Sequence, residues 1–332
     1  MLACLYGAGA APFVEPVVAD LQQAAAKRGA DLFPLTLERV LARGGAWDEV
    51  ERLYVLPFEI PPSLSADLPP TATQLVRALF PRARIVNPLA THELCFDKLA
   101  TAERLLSRGV PMPSTLTTSD PEEAREFVRT HGQAILKEPR SCAGYGHLLL
   151  LCDEGGAILG ESLGRRYLVE LQASGEGRRL SHGVLEVRPP FLIQRLVANV
   201  GRGGKLTPAQ VLRAYIVDGQ VVFWTERYRS KVETPSDFIV SVALGARYRF
   251  LPAVSEEARK IAMRAAEVLD MRIGVVDLVR DASGGSSVLE LDTDGPYMFI
   301  DRSFKKIPDY RDRFDFDDYI AEVLVAEEEG KK

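Results

Sequence analysis

The first 95 residues alternate short apolar runs with helix-like segments, and this alternation limits the folds open to the chain more than any other feature. Strand-like runs cover 1–6, 32–35, 53–56 and 83–86, and a helical repeat of apolar residues covers 15–28. Such an alternation is typical of an open sheet with helices on its faces. We therefore predict an α/β layer over residues 1–95.

A glycine-containing turn, Gly7-Ala8-Gly9, follows the first predicted strand and is similar to part of a dinucleotide-binding fingerprint. The third glycine of that fingerprint is missing, and no acidic residue follows at the expected distance. A tight turn is therefore favoured over a nucleotide site here.

The charge balance argues against a broad surface for nucleic acid or membrane. The 332 residues carry a formal net charge of −5, whereas such surfaces are basic. No apolar run approaches the roughly 20 residues of a membrane helix. The four cysteines show neither a CxxC pair nor metal-ligand spacing, which is typical of a reducing compartment. We expect a cytoplasmic protein without a nucleic-acid or membrane partner.

A lysine lies inside an apolar strand, immediately before a loop that contains glycines. The run Ile135-Leu136-Lys137-Glu138 leads into residues 141–146, and a second apolar run follows. Lysine is depleted in strands and costly to bury without a partner. Either Lys137 faces solvent beside an ordinary hairpin, or Lys137 and the amides of the loop together face an anion.

Three carboxylates lie on two neighbouring strands near the end of the chain. Asp277 interrupts the apolar face of the run 273–279, and Glu290 and Asp292 share one face of the next run. If the runs pair as a hairpin, the carboxylates converge, which is costly unless cations lie between them. Oxygen ligands suit Mg²⁺, which also takes ligands from substrate phosphates. The alternative is an acidic hairpin that faces solvent.

Two arginines lie on predicted strands joined by the hairpin turn Asp218-Gly219. Arg213 shares a strand face with Tyr215, and Arg227 shares one with Thr225. A cation on such a face needs an anion, although either arginine would also suit the surface of an edge strand.

Together and in this order, these features resemble the ATP-grasp superfamily, closest to its glutathione synthetase and RimK-like branch. The resemblance covers roughly residues 85–305. It is carried by Asn87-Pro88, Phe96-Asp97-Lys98, the run 109–113, Lys137 with its loop, and the runs 191–197, 212–215, 273–278 and 289–292.

The resemblance implies an ATP-grasp fold, which is α/β with an α+β C-terminal half and grips ATP between two α+β subdomains. A Rossmann-like pre-ATP-grasp domain would cover 1–95. A lid subdomain with the glycine-rich loop would cover 96–195, and a C-terminal subdomain with the metal site would cover 196–332.

The resemblance also implies roles for particular residues. Contacts to ATP would come from Lys98 and Lys137 to the phosphates, from Ser141, Gly144 and Gly146 in the closing loop, from Gln194, Arg195 and Leu196 to adenine, and from Asn199 to ribose. Two Mg²⁺ ions, or Mn²⁺ in their place, would be held by Asp277, Glu290 and Asp292. Arg213 and Arg227 would steady an acyl phosphate.

The implied activity is ATP-dependent ligation of a carboxylate to an amine or a thiol through an acyl phosphate. The substrates would be amino acids, peptides or other small molecules, and homodimers are common in this branch. Two alternatives remain open, namely a kinase of this fold that phosphorylates a hydroxyl group, and a nucleotide-binding regulatory protein without catalysis.

The sequence also departs from the family pattern. Asp292 stands where the family usually has Asn, Val211 stands where an Asp is frequent, and Ser241 aligns with a family Asn. These departures are compatible with ATP binding but leave the substrate open. The histidines show no catalytic spacing and are expected to be structural or exposed: His92, His131, His147 and His182.

Overall fold

A computed structural model describes residues 1–56, 70–140, 146–162, 165–175, 177–200, 206–208, 210–229, 240, 246–281, 283–293 and 316–326. These residues form three main sheets and a two-stranded ribbon. Within these ranges, no helix combines the length and the apolar character that a membrane span requires.

The first sheet is parallel and has four strands in the order β2-β1-β3-β4. Its elements are β1 (Leu2–Tyr6), α1 (Ala11–Ala26), β2 (Leu32–Thr36), α2 (Leu37–Arg43), β3 (Arg52–Val55), α3 (Pro70–Leu79) and β4 (Arg84–Val86). Cys4 and Tyr6 pack on the α1 side, whereas Ala3 and Leu5 pack in a separate core that includes Val40 of α2. Both faces of β1 are thus buried, which explains its continuous apolar run.

The glycine-containing turn after β1 contacts an acidic side chain of this chain. The amide of Ala8 donates hydrogen bonds to both carboxylate oxygens of Glu38, at 3.2 and 3.0 Å. Helix α1 begins at Ala11, four residues before the predicted start, because Pro12 is tolerated in the first helical turn.

The second sheet has eight strands in the order β10-β11-β9-β8-β7-β6-β12-β5. Its elements are β5 (Thr115–Thr118), α6 (Pro121–His131), β6 (Gln133–Lys137), β7 (Leu148–Cys152), β8 (Ile158–Ser162), β9 (Arg165–Leu171), β10 (Arg178–Ser181), β11 (Val184–Val187) and β12 (Phe191–Arg195). Helix α6 packs on one face, and Asp120 caps it by accepting a 2.7 Å hydrogen bond from the amide of Glu122.

The third sheet has five antiparallel strands in the order β17-β16-β15-β18-β19. Its elements are β15 (Gln210–Val217), β16 (Gln220–Tyr228), β17 (Arg247–Leu251), β18 (Ile273–Arg280) and β19 (Ser286–Asp292). The remaining elements are α4 (Leu89–Phe96), α5 (Lys98–Ser107), the ribbon of β13 (Ala198–Val200) and β14 (Leu206–Pro208), α7 (Glu256–Val268) and α8 (Phe316–Val325).

Both faces of the third sheet are covered. Leu212 and Ala214 of β15 pack in a core with Leu105 of α5 and Ala262 of α7. The other face contributes Tyr215, whose ring stacks on Phe223 with centroids 3.8 Å apart, to a core that also contains residues of β1, α1 and α8. One apolar cluster therefore joins the first sheet, the third sheet and α8.

Asn87 connects the first sheet to the third. Its side chain is fully buried; Nδ2 donates to the carbonyl oxygen of Ile273 at 2.6 Å, and Oδ1 accepts from the amides of Arg272 and Ile273 at 2.8 Å each. The start of β18 is thus held by three hydrogen bonds from one amide group.

Helix α4 makes two more contacts next to the third sheet, one at the end of α7 and one just beyond β19. The hydroxyl of Thr91 donates to the carbonyl oxygen of Leu269 at 2.8 Å, and His92 Nδ1 lies 3.0 Å from the hydroxyl of Thr293, just beyond β19. Burial lowers the pKa of His92 to about 4, so its ring is neutral at pH 7. The expectation that His92 is structural agrees with this position.

Candidate active site

Lys137 is the last residue of β6 and points across to the third sheet. It is 8% exposed, and its ammonium donates a 3.0 Å hydrogen bond to the carbonyl oxygen of Leu289 in β19. Burial and the charge of Lys98 lower the pKa of Lys137, whereas the charge of Glu290 raises it. The resulting pKa is about 8. Of the two interpretations of this lysine, the solvent-facing one is therefore wrong.

Lys98 reaches the same place from the start of α5. Asp97 caps this helix by accepting from the amide of Leu99 at 3.0 Å, and the amide of Lys98 donates to the carbonyl oxygen of Pro139 at 3.0 Å. The Lys98 ammonium lies 3.5 Å from Glu290 Oε1, and 10% of the side chain is exposed. Two buried lysines from different elements thus approach one carboxylate.

Glu290 is ionised at neutral pH. Burial by itself would raise its pKa, but the charges around it, with Lys98 contributing most, lower the pKa to about 2. This carboxylate is therefore an anion that oxygen-seeking cations would bind.

Asp277 lies opposite both Arg213 and Glu290 in the register of the third sheet. Arg213 donates from Nε and Nη2 to the two oxygens of Asp277 at 2.7 Å each, and Arg227 Nη2 donates to Asp277 as well. Asp277 is 2% exposed and Arg213 is 5% exposed. Burial and the neighbouring Arg213 lower the pKa of Arg227 to about 10. The two arginines, 14 positions apart in sequence, therefore share one buried anion.

The three carboxylates predicted to converge lie on one face of the β18–β19 hairpin. Asp277 pairs with Glu290, and Asp292 pairs with Val275, two residues from Asp277 on the same strand. A side chain on Gly274 would lie 2.6 Å from the carbonyl oxygen of Asp292, so glycine permits this close approach. Within the described residues, however, no three His, Cys, Asp or Glu side chains are grouped as metal ligands.

Two of the three carboxylates, those of Glu290 and Asp292, are suited to bind a hard cation such as Mg²⁺. Glu290 and Asp292 are two residues apart on one face of β19, and their carboxylate oxygens are ligands of the kind that Mg²⁺ binds. Both oxygens of Asp277 already accept hydrogen bonds from arginine, Oδ1 from Arg213 and Oδ2 from Arg213 and Arg227, so Asp277 would have to release an arginine to bind a metal. The three-ligand metal site stays a prediction.

The strand predicted to hold adenine is fixed between two neighbours. Gln194 is 3% exposed and donates from Nε2 to the hydroxyl of Thr115 at 3.0 Å. The amide of Arg195 donates to the carbonyl oxygen of Ser114 at 2.8 Å, and that of Leu196 donates to the carbonyl oxygen of Gln133 at 3.3 Å. Ser141, Gly144 and the side chain of Asn199 lie outside the described residues, as does Ser241.

Gly146 ends the glycine-containing loop and is required by its surroundings. Its φ is +72°, and a Cβ there would lie 2.8 Å from Cβ of Glu138. Only glycine permits this left-handed backbone so close to the residue that follows Lys137. Gly146 therefore lies against Glu138, the residue that follows Lys137.

His147 lies in the site although its sequence pattern gave no catalytic signal. It is 8% exposed. Burial and nearby charges, chiefly Lys137, lower its pKa to about 3. The only feature of the sequence that points to His147 is its position between the glycine-containing loop and an apolar strand.

A narrow cleft lies between the second and third sheets. Its lining includes Lys98, Met112, Lys137, Gln194, Glu290 and Leu291. The lining thus combines two lysines and a carboxylate with apolar side chains. Asp277, Arg213, Arg227 and His147 are not part of this lining.

Comparison with known proteins gives relatives of low sequence identity. No protein-family model matches the sequence. A probable alpha-L-glutamate ligase of Xylella fastidiosa (strain M12) is 23% identical over 190 residues, which cover 57% of this chain and 52% of the relative. The match thus spans about half of the length of that curated relative.

Solved structures match over nearly the whole chain. The ATP-grasp ligase PsnB complexed with a minimal precursor has a TM-score of 0.61 at 15% identity, covering 97% of this chain and 98% of that chain. PsnB complexed with the minimal precursor, Mg and ADP has a TM-score of 0.56 at 16% identity, covering 98% and 96%. The D-cycloserine synthetase DcsG has a TM-score of 0.59 at 16% identity, covering 97% and 99%.

Proposed function

We propose, from the ATP-grasp fold that this chain has, that it is an ATP-dependent ligase that joins a carboxylate to an amine. The fold is that of the solved neighbours, which match at TM-scores of 0.56 to 0.61. The curated relative and these neighbours are named as ligases or a synthetase, which supports the same class of reaction here.

One observation carries the proposal. Lys98 and Lys137, both at most 10% exposed, line one cleft with Glu290, whose Oε1 lies 3.5 Å from the ammonium of Lys98. Two buried ammonium groups beside one carboxylate leave positive charge that an anionic ligand would neutralise. The triphosphate of ATP is such a ligand, and PsnB has been solved with ADP and Mg.

In the proposed reaction, a substrate carboxylate oxygen bonds to the γ-phosphorus while the bond to the bridging oxygen of ADP breaks. The nitrogen of an amine then attacks the acyl phosphate, and phosphate leaves as the amide forms. Lys98 and Lys137 would hold the phosphates, and the buried pair of Arg213 and Arg227 lies on the sheet face where charge would develop. The loop after Lys137 would exclude water from the acyl phosphate.

Glu290 and Asp292 would hold Mg²⁺, with Asp277 as a third ligand once it releases an arginine. When bound, the metal would neutralise charge on the phosphates. The proposal includes two ions at this site and Mn²⁺ as an alternative to Mg²⁺.

We propose an amino acid or a peptide as the carboxylate substrate. The relatives support both classes, because one is a probable glutamate ligase and PsnB has been solved with a peptide precursor.

The test is a screen of ADP and phosphate release with amino acids and short peptides as paired substrates. In continued turnover, a ligase releases ADP and free phosphate in equal amounts and needs both the carboxylate and the amine. A kinase would release ADP without free phosphate and without an amine. ATP and Mg²⁺ should also raise the melting temperature, and the proposal fails if neither melting nor ADP formation responds to ATP.

Lys137→Met provides the matched variant, with the exposed Lys260→Met as its control. Lys137 is charged below its pKa of about 8 and neutral above it, so the affinity of the wild type for ATP should fall as the pH rises above about 8. Lys137→Met should bind ATP at least about 10-fold more weakly at pH 7 and show no such fall. Lys260→Met should behave as the wild type in titrations by calorimetry.

A further inference from the structure

His147 occupies a position that no motif assigns, at the exit of the glycine-containing loop and directly before β7. Its side chain is more than nine-tenths buried. Among the described residues, its Nε2 has no hydrogen-bond partner. A buried polar atom without a partner costs about 1–3 kcal/mol, so such an atom needs an explanation.

The surroundings of His147 are charged. Lys137 of β6, Glu290 of β19, Lys98 of α5 and Arg178 of β10 all act on the imidazole electrostatically. Leu136 pairs with Leu148 in the antiparallel register of β6 and β7, so His147, one residue before Leu148, lies beside Lys137, one residue after Leu136.

His92 shows what a structural histidine looks like in the same protein. It is also buried with Nε2 unpartnered among the described residues, but its Nδ1 lies 3.0 Å from the hydroxyl of Thr293. Burial alone accounts for its pKa, with no charged neighbour contributing. His147 differs because charged neighbours surround it in the cleft region.

We propose that His147 is a phosphate-binding residue, whose Nε2–H donates a hydrogen bond to a phosphate oxygen of ATP between Lys98 and Lys137. The inference rests on the proposed function, because it assumes that a nucleotide occupies the cleft. A neutral imidazole suits this place, since it supplies a directed donor without adding a third positive charge beside the two lysines. The orphaned nitrogen gains its partner only when the ligand is bound.

The test compares three variants by calorimetry with ATP and with adenosine, each with and without Mg²⁺. His147→Met has a similar size and no N–H donor. His147→Gln places an amide N–H near the position of Nε2, whereas His147→Asn places it near Nδ1. Melting temperatures of all four proteins report on folding separately from binding.

We expect His147→Met and His147→Asn to bind ATP about 10-fold to 100-fold more weakly than the wild type. Adenosine binding should be unchanged, and His147→Gln should recover most of the ATP affinity. If His147→Met does not fold, the difference between the Gln and Asn variants decides the question.

Two outcomes separate this inference from the proposed function. If the wild type binds no ATP, both fail together. If the wild type binds ATP and every variant keeps its preference for ATP over adenosine, the role of His147 is refuted while the ligase proposal stands.

Discussion

At the scale of single residues, the site consists of charges that compensate one another across the cleft. Asp277 is the clearest case, because one buried carboxylate accepts hydrogen bonds from Arg213 and Arg227. Arg213 lies 64 positions away from it in sequence. Sequence alternation predicted that Asp277 and Arg213 each need a charged partner, but not that they are partners of each other.

Asp277→Asn should lower the free energy of unfolding by about 3–5 kcal/mol, because it leaves two buried guanidinium groups without their anion. The control is Asp218→Asn, which breaks the pair with Arg272. The Asp218 side chain is 60% exposed, and its φ of +50° is one that asparagine also adopts. We expect that loss to be at most about 1 kcal/mol. Urea denaturation measures both, and equal small losses would mean that Asp277 does not compensate the arginines.

At the scale of elements, the strands that carry the site are held at their ends by residues outside the sheet. Asn87 holds the start of β18 with three hydrogen bonds, and α4 contacts the residues around β18 and β19 through Thr91 and His92. The position of Asp277 therefore depends on a segment outside the sheet, in which Asn87, Thr91 and His92 hold the ends of the elements that carry the site.

Asn87→Ala should lower the free energy of unfolding by about 2–4 kcal/mol, since it leaves two amides and a carbonyl at the start of β18 unpaired in the interior. Hydrogen exchange of the Ile273 amide should become faster at the same time. Gln22→Ala is the matched control, because Gln22 Nε2 makes one partly buried hydrogen bond, to the carbonyl oxygen of Leu32 at 3.0 Å. Its loss should be about 1 kcal/mol, and an equal loss in both variants would contradict the role of Asn87.

Elements with strong local signals were predictable from the sequence. Helix α6 has an Asp cap and a Pro in its first turn, and the β15–β16 hairpin turns at Asp218-Gly219. The two-residue period of strands predicted that Asp277, Glu290 and Asp292 share one face of a hairpin, and the observed register, in which Asp277 pairs with Glu290, agrees with this. The ATP-grasp fold expected from the order of the motifs is confirmed by the solved neighbours.

Other features had no local signal. Strands β8 to β11 are short, and several of their residues are polar or charged, so their periodicity is weak. His147 is buried, which the pattern of a single strand does not encode. The roles assigned to individual site residues stay predictions.

At the scale of the whole molecule, one apolar cluster joins the first sheet, the third sheet and α8. It contains Tyr6 of β1, Tyr215 of β15 and Leu324 of α8, and Arg28, in the turn after α1, donates to Asp318 of α8 at 2.7 Å. A shared core of this kind favours cooperative unfolding of the sheets that it joins.

The two tryptophans test this cooperativity, because Trp47 lies in the core of the first sheet and Trp224 in that of the third. Variants that keep one tryptophan each, Trp47→Phe and Trp224→Phe, should unfold at the same urea midpoint once corrected for their own stability changes.

Leu324→Ala, at 1% exposure, should lower the free energy of unfolding by about 2–5 kcal/mol, whether unfolding is followed by the fluorescence of Trp47 or by that of Trp224. Leu180→Ala, at 57% exposure, should change it by no more than about 0.5 kcal/mol, and separate midpoints would refute a common core.

The hydrogen bond from Lys137 to the carbonyl oxygen of Leu289 joins positions 152 residues apart. On the ribosome, β6 emerges long before β19 is made, so the nascent chain carries this ammonium in water until β19 has been synthesised. A chain that terminates before β19 lacks the carbonyl oxygen that accepts this hydrogen bond.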